Sequence, residues 1–110
     1  MKIEINNKNF DVEVADSFLK RAWGLSRRTE GKMLFKLSRE TNAKIDMALL
    51  SKPLYLYFFD SDKQLIYKEY ASPWTWNPKT WKLYSPERPY KYLLESFEEL
   101  DLDEGDEIEF

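Results

Sequence analysis

The apolar run Leu54–Phe59 is the clearest element in the hydrophobic pattern of this chain. Pro53 precedes it and Asp60 follows it. A run this short, rich in aromatic side chains, is typical of a strand that is covered on both faces. We predict that it is the central strand of an antiparallel sheet, with residues 64–70 returning as its hairpin partner.

Alternating apolar and polar positions predict further strands. Ile3 and Ile5 alternate with charged residues, as do Phe10, Val12 and Val14. We therefore predict that residues 2–6 and 9–15 form a hairpin with one face in the core. The same reasoning predicts strands over 33–37, 45–50, 81–84, 90–97 and 107–110, with a turn-like link at 39–42.

Two segments depart from the strand pattern. Residues 16–24 have near-helical apolar spacing and end at Gly24, where a C-cap favours glycine. Residues 72–89 contain four prolines, which exclude a long helix or an interior strand and predict a structured loop. The whole pattern predicts one domain over residues 1–110. Its fold class is all-β, mainly an antiparallel sandwich or open barrel, with one short α-helix near 16–24.

The composition restricts the possible chemistry. There is no cysteine and no histidine, so disulfides, thiol chemistry, Cys/His zinc sites and imidazole catalysis are excluded. No apolar run approaches the roughly 18 residues of a membrane helix. The alternating start also lacks the apolar core of a signal peptide. We expect a cytoplasmic protein with no cofactor, no bound metal and no membrane partner.

Charge is distributed unevenly along the chain. Residues 95–110 contain nine acids and no base, whereas bases predominate between residues 20 and 44. This basic patch includes Arg21, Arg27, Arg28 and Lys32, which suit phosphate contacts. The sequence pI of about 5.1 and the acidic tail disfavour nucleic acid. We expect the patch to neutralise the acidic segment, within the fold or across a homodimer.

Short motifs along nearly the whole chain resemble the prokaryotic domain-of-unknown-function family 192, in its archaeal branch. They are Val12-Glu-Val-Ala15, Trp23-Gly-Leu25, Gly31-Lys-Met-Leu-Phe35, Met47, Pro53-Leu54, Phe58-Phe-Asp60, Pro73-Trp74, Leu94-Glu95 and Gly105-Asp106. The resemblance implies an all-β sandwich-like domain with a helix packed on it. It implies no activity, because none is established for the family.

The chain also departs from the family pattern. Relatives commonly carry Met-Lys-Asn-Thr before the central strand and an Asp within it, where this chain has Met47-Ala-Leu-Leu50 and Tyr55. Leu25-Ser26 replaces Met-Leu or Met-Met, and Ser96-Phe97-Glu98 replaces a segment with glycine. If the Asn, Thr and Asp form a polar site in relatives, this protein has lost it.

The proline-rich loop is the main candidate binding site. Trp74, Trp76, Trp81 and Tyr84 supply rigid aromatic surface of the kind that stacks on sugars, small organic ligands and proline-rich peptides. The alternative is that the rings fold inward and plug one end of the sandwich. We expect Trp74 to be an anchor, and Trp76 and Trp81 to be exposed.

Carboxylates are the candidates for acid–base catalysis. Glu95 follows two leucines and is the best single candidate, although a buried Glu is more often a paired structural acid. The segment that contains Asp101, Asp103 and Asp106 departs from a calcium loop, because its glycine stands at the fifth position instead of the sixth.

These observations favour a non-catalytic binding module. Its pocket would lie between the aromatic loop and a sheet end that carries Tyr57 and Glu95. An interaction or oligomerisation module with opposed basic and acidic faces is the alternative. A carboxylate enzyme acting through Glu95 is the third hypothesis.

Overall fold

Eight strands are present in the computed structural model, which describes residues 1–15, 30–48 and 50–110. They are β1 (Lys2–Ile5), β2 (Lys8–Asp11), β3 (Glu13–Ala15), β4 (Lys32–Thr41), β5 (Leu54–Phe59), β6 (Leu65–Ala71), β7 (Tyr90–Ser96) and β8 (Ile108–Glu109). A 3-10 turn covers Pro78–Thr80. The mainly-β fold class is therefore confirmed. The helix predicted near 16–24 lies outside the described residues.

The strands form two sheets. The larger sheet has the order β3-β4-β7-β5-β6, and the smaller one has the order β2-β1-β8. All neighbouring pairs are antiparallel except β3 and β4, which run parallel. In the described part of the chain, no helix is long and apolar enough to cross a membrane.

The larger sheet lies between two core clusters, one on each face. In β5, Leu54, Leu56 and Phe58 join the first cluster, whereas Tyr57 and Phe59 join the second. The smaller sheet covers the second cluster, which includes residues from β1 and β8. Irregular segments at 45–48 and 72–84, together with Leu50, cover the first cluster. Because both faces of β5 are covered, its sequence is a continuous apolar run.

The prediction that β5 is the central strand is wrong, although its bounds and its hairpin with β6 are confirmed. The middle strand is β7, which pairs with β4 on one side and β5 on the other. A continuous apolar run shows that both faces are covered, but every inner strand of a covered sheet has this property. The run therefore carries no information about lateral position.

The prediction of a single strand over 9–15 is also wrong, because two strands occupy this segment. β2 forms the expected hairpin with β1, but β3 joins the other sheet beside β4. Val12 lies between them and is buried in the second cluster, with its N–H donated to the carbonyl of Met1. Because the chain changes sheets here, the alternation of buried and exposed side chains starts again in β3, and Val14 is 44% exposed.

Three local predictions need correction. Residues 45–50 and 81–84 form no strands within the described residues, and only Ile45 and Tyr84 bond to each other, as an isolated bridge. The link predicted at 39–42 lies mostly within β4, which continues to Thr41. Ile45 and Met47 are nevertheless buried, as their shared-face pattern indicated. Burial here comes from an irregular segment packed on the sheet.

Candidate functional site

The aromatic loop, residues 72–89, is anchored to the sheet through Trp74. This ring packs against the first core cluster, and its backbone N–H is donated to the carbonyl of Met47 over 3.3 Å. Its indole Nε1 donates to the carbonyl of Lys82 over 2.9 Å. The prediction that Trp74 is the anchor agrees with this geometry.

The tip of the loop is held by its own polar groups. Asn77 caps the 3-10 turn, with its Oδ1 accepting from the N–H of Lys79 over 3.0 Å, and Pro78 begins the turn. Both residue types are favoured at these positions. The hydroxyl of Thr80 accepts from the N–H of Thr75 over 2.9 Å and donates to the carbonyl of Asn77 over 2.8 Å. The local sequence therefore fixes the shape of the tip.

A stacked tryptophan pair forms the centre of the exposed surface. The rings of Trp74 and Trp81 lie 5.7 Å apart with an interplanar angle of 22°. The indole Nε1 of Trp81 donates to the carbonyl of Thr75 over 2.8 Å, and this residue is still 52% exposed. Trp76 is 100% exposed. Together with Ala48, these four residues line an open depression of about 340 Å³, the tryptophan pocket.

The polar groups of this pocket are largely used within the loop. The indole N–H groups of Trp74 and Trp81 are both donated to backbone carbonyls. The N–H and the hydroxyl of Thr75 are bonded to the Thr80 hydroxyl, and the carbonyl of Thr75 accepts from Trp81. No charged side chain is among the described residues that line the pocket. The pocket therefore offers aromatic faces and no acid–base group.

Tyr84 lies outside the tryptophan pocket and has a structural position. It is half-buried against the first core cluster, and its backbone exchanges two hydrogen bonds with Ile45, of 2.8 and 2.9 Å. Its hydroxyl accepts from the N–H of Ser72 over 3.4 Å. These contacts close the base of the aromatic loop, so Tyr84 supports the loop from below.

Tyr57 and Glu95, which were predicted to share the pocket, lie on opposite faces of the larger sheet. Glu95 is directly opposite Leu56 in the register of β7 with β5, and it faces the first cluster. Tyr57 is the next residue of β5 and faces the second cluster. The composite pocket is therefore absent. The pairing of β7 with β5 decides this point, and the sequence contains no local signal of it.

A ligand needs accessible side chains, and both of these side chains are buried. Glu95 is completely buried and Tyr57 is 2% exposed. The hydroxyl of Tyr57 donates to the carbonyl of Leu100 over 3.1 Å and accepts from its N–H over 2.8 Å. Burial of this phenol raises its pKa above the ordinary value. Tyr57 thus has a structural role.

A tyrosine pair, which the sequence reasoning missed, lies on the outer hairpin. The rings of Tyr55 and Tyr70 are 4.8 Å apart, and Tyr70 is 52% exposed. Two small depressions adjoin the pair, of about 140 and about 180 Å³. The predicted hairpin of β5 and β6 could have indicated this pair, because Tyr55 lies directly opposite Tyr70 in the register of the two strands. Tyr55 thus joins this pair, and Leu50 is buried in the core.

Of the four residues named for the basic patch, Lys32 lies in the described part of the chain, whereas Arg21, Arg27 and Arg28 lie outside it. The Nζ of Lys32 lies 2.5 Å from the Oε1 of Glu98, and this hydrogen bond lowers the pKa of the Glu98 carboxyl. The pair joins the basic segment to the acidic one within a single chain. Among the described residues, no group of three or more acidic, His or Cys side chains is placed to hold a metal ion.

The fold and these surfaces define a small two-sheet β protein with a rigid, exposed aromatic loop. The chain belongs to the DUF192 family, described as "Uncharacterized ACR, COG1430", which it matches over residues 1–110. The resemblance to this family is confirmed.

Two archaeal relatives are similar over most of their length. A UPF0127 protein of Pyrococcus abyssi is 32% identical over 106 residues, covering 90% of this chain and 85% of the relative. One of Pyrococcus furiosus is 30% identical over 107 residues, covering 91% and 86%. A solved structure, of a protein of unknown function from Novosphingobium aromaticivorans, has a TM-score of 0.78 and 19% identity, covering 99% of this chain and 84% of that one. This last similarity concerns the fold alone.

Proposed function

We propose that this protein is a non-catalytic binding module and that its ligand occupies the tryptophan pocket. The observation that carries the proposal is the complete exposure of Trp76 beside the stacked Trp74 and Trp81. Large exposed aromatic groups that cluster at one place are typical of interaction sites. The expectation of a cytoplasmic location stays a prediction.

The rigidity of the loop supports this proposal. Hydrogen bonds from both indole N–H groups and from Thr80 hold the tip in one shape before any ligand arrives. A preformed surface binds more tightly because little conformational entropy remains to be lost. The ring of Trp76 forms no hydrogen bond within the described residues, and it contributes its area through a short side chain with two rotatable bonds.

Catalysis through Glu95 has less support. Its side chain is completely buried on the face of the first cluster, and it lines none of the three depressions. A general acid or base must come within hydrogen-bond distance of its substrate. The hypothesis of a homodimer through opposed charged faces also has less support, because Lys32 is paired with Glu98 of its own chain.

The test is a ligand screen by intrinsic tryptophan fluorescence and calorimetry. Sugars, nucleotides, anions, divalent metals and proline-rich peptides would be titrated into the wild-type protein and into Trp76→Ala. Tyr70→Ala is the matched control, because Tyr70 is another exposed aromatic residue, 52% accessible, but lies on β6. We expect saturable binding that Trp76→Ala abolishes and Tyr70→Ala preserves. Binding that is equal in all three proteins would contradict the proposal.

A further inference from the structure

We infer that the ligand of the tryptophan pocket is an acidic, proline-containing segment of another protein, bound in an extended conformation. This inference rests on the proposed function and specifies its ligand class. It follows from the polar groups of the pocket, from the arrangement of its rings and from the charges of the aromatic loop.

The polar groups decide against a sugar or a nucleotide. A site for such ligands needs several converging donors and acceptors for hydroxyl or phosphate groups. In the tryptophan pocket, the two stacked indole N–H groups are already donated to Lys82 and Thr75, and the groups of Thr75 are bonded within the loop. A sugar that entered would lose hydrogen bonds to water without replacing them, which is costly.

The rings match a proline-containing peptide. An extended polyproline helix lacks internal hydrogen bonds, loses little entropy on binding and packs its rings against aromatic side chains. Trp81 and Trp76 offer two such faces, beside the small side chain of Ala48. No hydrogen bond within the described residues uses the indole N–H of Trp76, so this group is available to a peptide carbonyl.

Charge on the aromatic loop favours an acidic peptide. Lys79 lies in the 3-10 turn at the tip, and Lys82 follows Trp81 and accepts from Trp74 with its carbonyl. Both lysines are exposed, and neither forms an ion pair within the described residues. The remaining charges of the loop are Glu87 and Arg88, and Arg88 lies 3.9 Å from Asp60. Two exposed lysines without ion pairs, on the loop that carries an uncharged pocket, favour a partner with carboxylates next to its prolines.

The experiment compares an acidic peptide of repeated Asp-Pro-Pro with the same peptide carrying Lys in place of Asp. Calorimetry and tryptophan fluorescence would be recorded at low and at high salt. Neutral glucan oligosaccharides and vesicles containing phosphatidylserine form two further arms. The variants are Trp76→Ala and Lys79→Glu. The controls are Tyr70→Ala and Lys2→Glu, which alter an exposed aromatic residue and an exposed lysine elsewhere.

We expect the acidic peptide to bind in preference to the basic one. Trp76→Ala should weaken its binding by about tenfold or more, as for an aromatic residue at the centre of an interface. Lys79→Glu should weaken it by about threefold to tenfold, and added salt should weaken it too, because exposed charges are screened. The two control variants should bind the peptide as the wild-type protein does.

Other outcomes separate this inference from the proposed function. Equal affinity for acidic and basic peptides would overturn the acidic specificity. Oligosaccharide or vesicle binding that requires Trp76, without peptide binding, would overturn the inference and leave the proposed function standing. If no ligand in any arm depends on Trp76, both are overturned.

Discussion

The phenol hydroxyl of Tyr57 and the backbone of Leu100 are joined by two hydrogen bonds, one donated and one accepted. Tyr57 lies in β5, and Leu100 lies in the segment that follows β7. Both residues belong to the second core cluster. The hydroxyl thus satisfies the buried N–H of Leu100, which would otherwise lack a partner, while the carbonyl of Leu100 also accepts from the N–H of Leu102 over 2.8 Å.

The first prediction concerns this connection. Tyr57→Phe keeps the ring but leaves the buried N–H of Leu100 without its partner, whereas the carbonyl of Leu100 still accepts from the N–H of Leu102. We expect the free energy of unfolding to fall by about 1–3 kcal/mol. Urea unfolding followed by circular dichroism would measure it. Tyr55→Phe is the control, since it alters the neighbouring half-buried tyrosine, and it should change stability by less than about 0.5 kcal/mol. Equal effects of the two substitutions would contradict the role of the Leu100 contact.

The second prediction concerns alkaline pH. Burial raises the pKa of Tyr57 above 10.0, and a hydrogen bond to Glu69 raises the pKa of Tyr67 to about 12. Above pH 10.0 the unfolded chain loses these protons while the folded protein keeps them, so stability is full below that pH and falls as the pH rises further. Unfolding in urea between pH 9 and pH 12, roughly the range of tyrosine titration, would measure the decline. Tyr57→Phe should flatten it, and an unchanged slope would contradict the assignment.

The third prediction separates the two exposed tryptophans. Trp76→Ala should change the free energy of unfolding by less than about 0.5 kcal/mol, because this ring is completely exposed. Trp81→Ala should lower it by about 1–2 kcal/mol, because it removes the stack on Trp74 and the hydrogen bond to Thr75. Thermal and urea unfolding would compare the two variants. A large cost at Trp76 would show that its ring contributes to packing.

The fourth prediction concerns the hydroxyl of Thr80. Thr80→Val removes its bonds to Thr75 and Asn77 while keeping the volume of the side chain. We expect greater quenching of tryptophan fluorescence by acrylamide, and an affinity for the ligand reduced about fivefold if roughly 1 kcal/mol of preorganisation is lost. Thr80→Ser restores the hydroxyl and should bind as the wild-type protein does. If both variants bind alike, the hydroxyl does not organise the loop.

The fifth prediction concerns the Lys32–Glu98 pair. The hydrogen bond from Lys32 lowers the pKa of Glu98 below 4.5, so its contribution is present above that pH and is lost as the pH falls through the folded pKa. The carboxylate is 70% exposed, so Glu98→Gln should cost less than about 1 kcal/mol at neutral pH. The cost should vanish at low pH and shrink at high salt. Unfolding at several pH values would show this convergence.

Much of the fold could be predicted from local patterns. The bounds of β5 and its hairpin with β6 were predicted from the apolar run and the turn residues, because adjacent segments of opposite direction pair through a short link. The anchor position of Trp74 and the exposure of Trp76 and Trp81 also agree with the sequence-based expectation. Prolines and asparagines determine such loops locally, through restricted backbone angles and side-chain caps.

The sequence by itself thus determined most of the strands, the β5–β6 hairpin and the loop that carries exposed aromatic rings, but it did not separate the irregular segments at 45–48 and 81–84 from strands. Only the tertiary structure decided that β7 is central, that the chain joins the other sheet as β3 after the β1–β2 hairpin, and that Tyr57 and Glu95 face opposite clusters. The physical reason is the range of the interactions. Turns and strand alternation depend on neighbours along the chain, whereas sheet order and register depend on pairing between distant segments, and a shift of one residue exchanges the two faces.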